Sequence, residues 1–353
     1  MQCRCRYLPE RTLGQGTLYF AFDEAILMAR FQNWFIQKGF AIDTDGGGFQ
    51  APVDRGEAVL GDLCRELKIP DREKEGVRIL FLPKGANFGP CALKETRNLK
   101  SWCTLLGEHP LFNALKNEKL DIWFQPIVDA FTGKLYAHEA LMRVVHQDGS
   151  ITSPLELLQT AKESGTLFNL DRLARESALK AFAASGAEGG LFINFTPTAI
   201  YNPALCLQDT FGWAKTLGLD FSRIVFEVVE SEKVEDFDHL DNILKAYREK
   251  GFKTALDDVG NDYDSLARLG KLGADIVKID RAFVHNIAAD PLRQELFKTL
   301  YTKAKTRGME VLAEGVELEA DYRFLRMLSV RLFQGYLFGK PAPQPVDRVT
   351  LPH

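Results

Sequence analysis

The sequence predicts an α/β chain: a (β/α)₈ barrel whose first strand runs antiparallel, preceded by a small α+β domain. Three observations predict it. From about Asp121 onward, apolar runs of strand length alternate with helix-period stretches over about 230 residues, the size of one barrel. The first two runs are separated only by Ala130-Phe131-Thr132-Gly133-Lys134. A parallel pair needs a crossover of a dozen or more residues, so these two strands are antiparallel. The first 118 residues follow a different order, β-α-β-β-α-β, with two helices among short strands.

In the small domain, TLYFAF (17–22) reads as a strand and DEAILMARFQNWFIQKG (23–39) as an amphipathic helix closed by Gly39. Phe40 to Val53 is hairpin-like around Gly46-Gly47-Gly48, RGEAVLGDLCRELK (55–68) a second helix, and VRILFLP (77–83) a strand. Gly14-Gln15-Gly16 and the triple glycine read as turns rather than phosphate loops. Gly89-Pro90 marks a boundary. The expected organisation is a small α+β domain over 1–90 with a regulatory or sensory role, a helical linker over 91–120 and the barrel over 121–345.

The barrel strands are IWFQPIVD (122–129), LYAHEALMRV (135–144), GLFINF (190–195), RIVFEVVE (223–230), KTALDDVG (253–260), ADIVKID (274–280), EVLAEGVE (310–317) and RLFQGYLF (331–338). Helix-period stretches at 170–186, 237–251 and 292–308 lie between them, each ending in the glycine expected of a left-handed cap.

The chain has 353 residues, 46% hydrophobic and 26% charged, which is a globular composition. Its 44 basic and 48 acidic side chains give a net charge of −4, which offers no general basic surface for a nucleic acid. Residues 1–118 carry 16 basic and 15 acidic side chains against 28 and 33 in the rest, so the acidic excess belongs to the barrel. No segment has the roughly 20 apolar residues of a membrane span, and the start lacks a signal-peptide pattern. A cytoplasmic location is expected. Six cysteines are too few and scattered for a disulfide scaffold. Cys64, Cys91, Cys103 and Cys206 read as small buried hydrophobes, and Cys3 and Cys5 as a frayed terminal pair without the further ligands of a zinc site.

Catalytic groups of such barrels stand at the C-terminal ends of the strands. Polar residues fall there in seven consecutive strands: Glu139, Asn194, Glu227 with Glu230, Asp257 with Asp258, Lys278 with Asp280, Glu314 with Glu317, and Gln334. Converging carboxylates need protons or cations, and carboxylate plus amide oxygens suit Mg²⁺ or Mn²⁺ better than zinc. The adjacent Asp257 and Asp258 suit two ions, the arrangement that drives in-line attack of water on a phosphodiester. This chemistry favours metal-dependent phosphoester hydrolysis, with sugar-processing and enolase-like barrels as alternatives.

The motifs resemble a known family. FQPIVD, EALMR, INFT, FEVVE, ALDDVG, VKID, AEGVE and FQGYLFGKP occur in the order of the EAL-domain cyclic-di-GMP phosphodiesterases, from about Ile122 to Pro343. The resemblance implies a barrel with its first strand reversed and hydrolysis of cyclic di-GMP to linear pGpG with two divalent cations, Mg²⁺ or Mn²⁺. It implies that Glu139, Asn194, Glu227 and Asp257 hold one metal, that Asp257 and Asp258 hold the second, and that Glu314 supports the second metal or its water. Lys278 contacts that water, Gln334 positions it, and Glu314 is a candidate proton acceptor. Arg143 holds a substrate phosphate, Gln125 contacts a guanine, and Glu230 anchors the loop after Asp258. A homodimer through the barrel is implied as well. That loop departs from the family pattern DDFGTGYSSL: Val259, Asn261, Asp262 and Asp264 replace an aromatic residue, Thr, Gly and Ser. The departure bears on rate, metal preference and dimer-linked regulation. The alternative is a non-hydrolytic or weakly active cyclic-di-GMP receptor signalling through the small domain or a protein partner. Asp280 and Glu317 are expected to support rather than ligate. His138 should point off the site, and His109, His146, His239 and His285 receive no role. The small domain lacks a GG[DE]EF signature.

Overall fold

The computed structural model describes residues 6–89, 92–228, 236–259 and 271–352, apart from the side chains of residues 94 and 258. Cys3, Cys5, Cys91, Glu230 and the loop of residues 260–270 lie outside them. The chain divides into two compact units, one of residues 7–116 with 155–167, the other of 117–154 with 168–353 and the first six residues.

In the small unit, β1 (Gly16–Phe22), α1 (Ala25–Gln37), β2 (Asp43–Asp45), β3 (Gly48–Val53), α2 (Gly56–Glu66), α3 (Asp71–Glu75) and β4 (Val77–Pro83) follow the expected order. A two-residue strand, β5 (Arg97–Asn98), completes a sheet of order β2-β3-β1-β4-β5, antiparallel throughout. Alternation along β1 turns Leu18 and Phe20 inward. Phe20 stacks on Phe49 at 4.8 Å and meets the edge of Phe35, from α1, at 5.2 Å. The hairpin at Gly46 needs a left-handed residue there, and its φ is 56°.

Two expectations change in this unit. Over 91–120 the helices α4 (Leu99–Leu106) and α5 (Pro110–Lys116) do not stand apart as a linker. Leu99, Trp102 and Leu105, spaced along one helix face, and Phe112 join the small unit's core. Cys64 and Cys103 are not small buried thiols but a disulfide between α2 and α4, with Cα atoms 5.5 Å apart. Their separation of 39 residues concealed the pairing, which tertiary packing creates. Cys206 is buried and lies outside the disulfide, as expected. Helix α6 (Pro154–Ser164) also belongs to this unit, where the Arg97 guanidinium donates to the Ser164 carbonyl at 2.9 Å.

The large unit holds β6 (Asp121–Asp129), β7 (Lys134–Val145), β8 (Ile151–Thr152), β9 (Gly190–Phe195), β10 (Ile224–Val228), β11 (Lys253–Val259), β12 (Ile276–Ile279), β13 (Glu310–Ala313) and β14 (Leu332–Gln334). β8 is a short addition to β7, and the other eight close into a barrel through the pairing of β6 with both β7 and β14. β6 is antiparallel to both, and the remaining barrel pairs are parallel. The reversed first strand read from the short turn is therefore present. In that turn Asp129 Oδ1 accepts the amides of Phe131 and Thr132, Gly133 takes φ 69°, and Arg331 clamps Asp129 Oδ2 at 2.7 Å.

The barrel has two apolar layers. One lies between strands and surrounding helices, with Phe226 stacked on Tyr247 at 4.0 Å. The other fills the barrel with one residue from each strand: Ile127, Ala137, Phe192, Val225, Ala255, Ile276, Leu312 and Leu332. Phe192 is the largest of these and is fully buried. Phe192→Ala should lower unfolding stability by about 3–5 kcal/mol in urea titration. A loss near zero would show that this layer is not close-packed.

Candidate active site

Strand alternation builds the site. Two residues beyond each member of the inner layer, a side chain returns to the same face of its strand. Those positions are Gln125, Glu139, Asn194, Glu227, Asp257, Lys278, Glu314 and Gln334. On the reversed β6 the step runs backwards in sequence, from Ile127 to Gln125. An apolar floor thus lies directly beneath a polar ring. Register fixes the neighbours: Gln125 pairs with Glu139 across β6 and β7, and Glu227 with Asn194 across β10 and β9.

Lys278 is the hub of the ring. Its Nζ lies 2.8 Å from Glu227 Oε2, 2.9 Å from Asp257 Oδ1, 2.8 Å from Glu314 Oε1 and 3.8 Å from Glu139 Oε1. Glu139 is held by two amides: Asn194 Nδ2 donates to Oε1 at 2.9 Å and Gln334 Nε2 to Oε2 at 2.5 Å. Gln334 Nε2 also reaches Gln125 Oε1 at 3.2 Å, and Gln125 Nε2 donates to the Gly339 carbonyl. Lys278 and Glu227 are buried to 1% and 0% exposure, so water contributes little to neutralising them.

Burial and neighbouring charge set the titration directions. Burial pushes the Lys278 pKa down, but the carboxylates of Asp257, Glu139, Glu227 and Glu314 hold it well above the ordinary lysine value. Burial is the main cause that raises Glu227 well above the ordinary carboxylate value; the Lys278 charge opposes it, and the charges of Glu139 and Asp257 add to it. Glu314 is raised by burial and by Asp257 and Glu139. Glu139 goes the other way, because Lys278 and the hydrogen bonds from its neighbours overcome the upward push of burial.

The ring fits a cation. Four carboxylates face one ammonium, and Glu227 Oε1 is buried without a hydrogen bond. All the donors are hard oxygens, the set that suits Mg²⁺ or Mn²⁺. Among the described residues, no three His, Cys, Asp or Glu side chains close on one metal position, since Lys278 Nζ holds the point where they converge.

The structure brings together Gln125, Glu139, Asn194, Glu227, Asp257, Lys278, Glu314 and Gln334. Arg143 lies four residues along β7 from Glu139, on the same face, with its guanidinium 5.7 Å from the Trp123 ring centre and donating to the Met142 carbonyl. Asp258 lies on β11, but its side chain, Glu230 and the departing loop positions Asn261, Asp262 and Asp264 fall outside the described residues. His138 points off the ring, with Nε2 3.0 Å from the Val346 carbonyl. Asp280 caps a short helix through the Ala282 amide, and Glu317 pairs with Arg281 at 3.0 Å.

Three features escaped the sequence reading. A cavity of about 410 Å³ opens over Gln125, Glu139, Glu314 and Gln334, and Arg281 and Tyr336 also line it. The strand ends there are shaped by glycine. Gly315 takes φ 62°, and a Cβ on it would lie 2.4 Å from the Arg281 side chain. Asp171, in the helix after α6, accepts the Thr196 amide at 2.7 Å beyond Asn194 and forms a buried ion pair with Arg175. A charged pair four residues apart on an apolar helix face was the available signal.

The EAL domain family matches residues 109–341. This chain belongs to the EAL domain family. It is 30% identical over 299 residues to the Escherichia coli protein named cyclic di-GMP phosphodiesterase PdeF, covering 83% of this chain and 38% of that protein. A standalone EAL protein of Vibrio cholerae in its c-di-GMP-bound form superposes with a TM-score of 0.60 at 33% identity, over 65% of this chain and 95% of the other. Klebsiella pneumoniae BlrP1, in a manganese and cy-diGMP complex, matches over 93% of this chain and 96% of its own at a TM-score of 0.57 and 21% identity, a likeness of fold alone. The chain spans about a third of the length of the first curated relatives it matches. Among the described residues, no helix is long and apolar enough to cross a membrane.

Lys278→Met leaves buried carboxylates uncompensated and, in buffer containing chelator, should destabilise this EAL chain by about 3–5 kcal/mol near neutral pH. Without the ammonium, the folded-state pKa values of Glu227 and Glu314 rise further above their unfolded values. Such groups favour the folded state at low pH and lose that contribution as pH rises. The deficit should therefore narrow between about pH 8 and pH 5, as followed by urea unfolding. A deficit independent of pH would show that Lys278 is not the counter-charge of the ring.

Proposed function

We propose that this chain hydrolyses cyclic di-GMP to linear pGpG. The observation that carries the reading is the ring itself: one lysine among four carboxylates, flanked by three amides, at the mouth of a closed barrel. The substrate class is supported by membership of the EAL family, by the name of the E. coli relative and by the c-di-GMP carried by the V. cholerae relative.

Glu139, Asn194, Glu227 and Asp257 would hold one Mg²⁺ or Mn²⁺, and Asp257 and Asp258 the other, with Glu314 in support. When bound, such ions make water a stronger nucleophile and stabilise charge on the phosphoryl oxygens. The residues divide the remaining work. Lys278 orients the attacking water and meets the charge that develops on phosphorus oxygens. Glu314, raised by burial, is suited to accept the water's proton. Gln334 positions the water and, with Asn194, keeps Glu139 in place through the hydrogen bonds they donate. Arg143 meets a substrate phosphate and Gln125 a guanine. Water adds to phosphorus and gives its proton to Glu314, and the bond to the 3′ oxygen breaks; that oxygen leaves with the bonding pair and takes up a proton as a 3′ hydroxyl, leaving a 5′ phosphate on the linear dinucleotide. We further propose that the chain pairs through its barrel as a homodimer and that the small unit regulates the barrel.

Purified full chain supplied with Mn²⁺ or Mg²⁺ should convert cyclic di-GMP to pGpG, as followed by chromatography, and Glu139→Ala should abolish the conversion. Binding of cyclic di-GMP without pGpG under either metal would instead assign the chain to the non-hydrolytic receptors. Wild-type turnover in Glu139→Ala would remove the ring as the reacting site.

A further inference from the structure

The small unit contains a cavity of about 570 Å³ bounded by α2, α4, α5 and the segment before β1. This volume lies in the range of sites for small organic ligands. Its walls differ in character. Leu105 and Phe112 belong to the unit's core and turn an apolar surface to the cavity. On the other side, Ala58 and Gly61 line it from successive positions of one face of α2.

Gly61 stands in the interior of a helix, where glycine is unfavourable relative to alanine. The one side chain near a Cβ built on it is the end of Arg65, 3.3 Å away, so no packed neighbour requires the missing side chain. Its effect is to leave the cavity open against the helix backbone. The disulfide between Cys64 and Cys103 ties α2 to α4, two of the walls, so the space is formed in advance of any occupant.

Charge identifies the occupant. Arg11, Arg65 and Lys116 line the cavity against a single carboxylate, Glu57; Arg65 is paired with Asp62, which leaves Arg11 and Lys116 as the cations of the opening. Glu57 is already engaged, with Oε2 accepting the Leu13 amide at 2.9 Å and Oε1 facing Arg55 at 3.3 Å. Arg11 is fixed in place: its guanidinium lies 4.3 Å over the Phe112 ring and donates to the Gly107 carbonyl at 2.7 Å. One guanidinium edge is thus anchored beside an aromatic wall, and its other N–H donors are available to an anion. We propose that this cavity is a binding site for a small organic anion, with a planar apolar body between Phe112 and the Gly61 face and an acidic group at Arg11 and Lys116. It is separate from the barrel site and does not depend on the reaction proposed there.

Two matched probes test it on the full chain: 8-anilinonaphthalene-1-sulfonate, and N-phenyl-1-naphthylamine, which lacks the sulfonate. The sulfonate should bind once per chain and at least about tenfold more tightly than the neutral probe. Gly61→Leu improves helix propensity and fills the cavity, so the fold persists and both probes should be lost. Arg11→Gln combined with Lys116→Gln should bring the sulfonate down to the level of the neutral probe. Lys116→Gln alone alters an exposed side chain and should weaken the sulfonate severalfold while leaving the neutral probe unchanged. No saturable binding of the sulfonate, equal affinity for the two probes, or undiminished binding in Gly61→Leu would each overturn the proposal.

Discussion

The large unit is organised around an ammonium group held 2.8–2.9 Å from three carboxylates where there is almost no water. Removing these charges from solvent costs several kcal/mol for each ion unless they neutralise one another. Lys278 therefore has to arrive at one point together with Glu227, Asp257 and Glu314, from four different strands. Those four strands are neighbours in the sheet, and closing the sheet on itself brings Glu139, from β7 on the opposite side of the barrel, to 3.8 Å from the same ammonium. The apolar floor of Ile127, Phe192, Leu312 and their neighbours keeps the strands at fixed spacing and register. Four carboxylates face this one ammonium, an excess of hard oxygen donors of the kind that suits Mg²⁺ or Mn²⁺.

Reversal of the first strand follows from the same closure. The chain is turned by a tight loop at Gly133, and Asp129 is locked by two amides and Arg331. Because β6 runs the other way, Gln125 reaches the ring by a backward step of two residues and faces Glu139 across the antiparallel ladder. The sequence supplies both halves of this arrangement, a turn too short for a crossover and a strand with a polar residue in the compensating position.

The small unit is held differently. Its sheet order comes from the β-α-β-β-α-β connectivity, and its core is an aromatic cluster about Phe20, Phe35 and Phe49. The helices after β4 add a second layer and close it with a disulfide. The outcome is an apolar interior with a cationic opening, whereas the barrel presents an apolar floor beneath an anionic ring. The nearly balanced charge of residues 1–118 conceals this contrast, since charge counts carry no information on which face a side chain occupies.

The sequence by itself determined the barrel, its reversed strand and the membership of the ring. Those features are written in local patterns: strand alternation, turn length, and polar residues interrupting apolar runs at Glu139, Asn194, Glu227, Asp257, Lys278, Glu314 and Gln334. Tertiary structure alone decided that Lys278 is the counter-ion of several carboxylates at once. It also decided that Cys64 and Cys103 are joined, that the stretch after residue 91 belongs to the small unit's core, and that Gly61 borders a cavity. The physical reason is the same in each case. Alternation and helical period state which way a residue points along its own element, but a counter-charge, a disulfide or a cavity depends on which other elements that direction meets. Those meetings join residues far apart in sequence, such as Glu139 with Lys278, and are settled only when the sheets close.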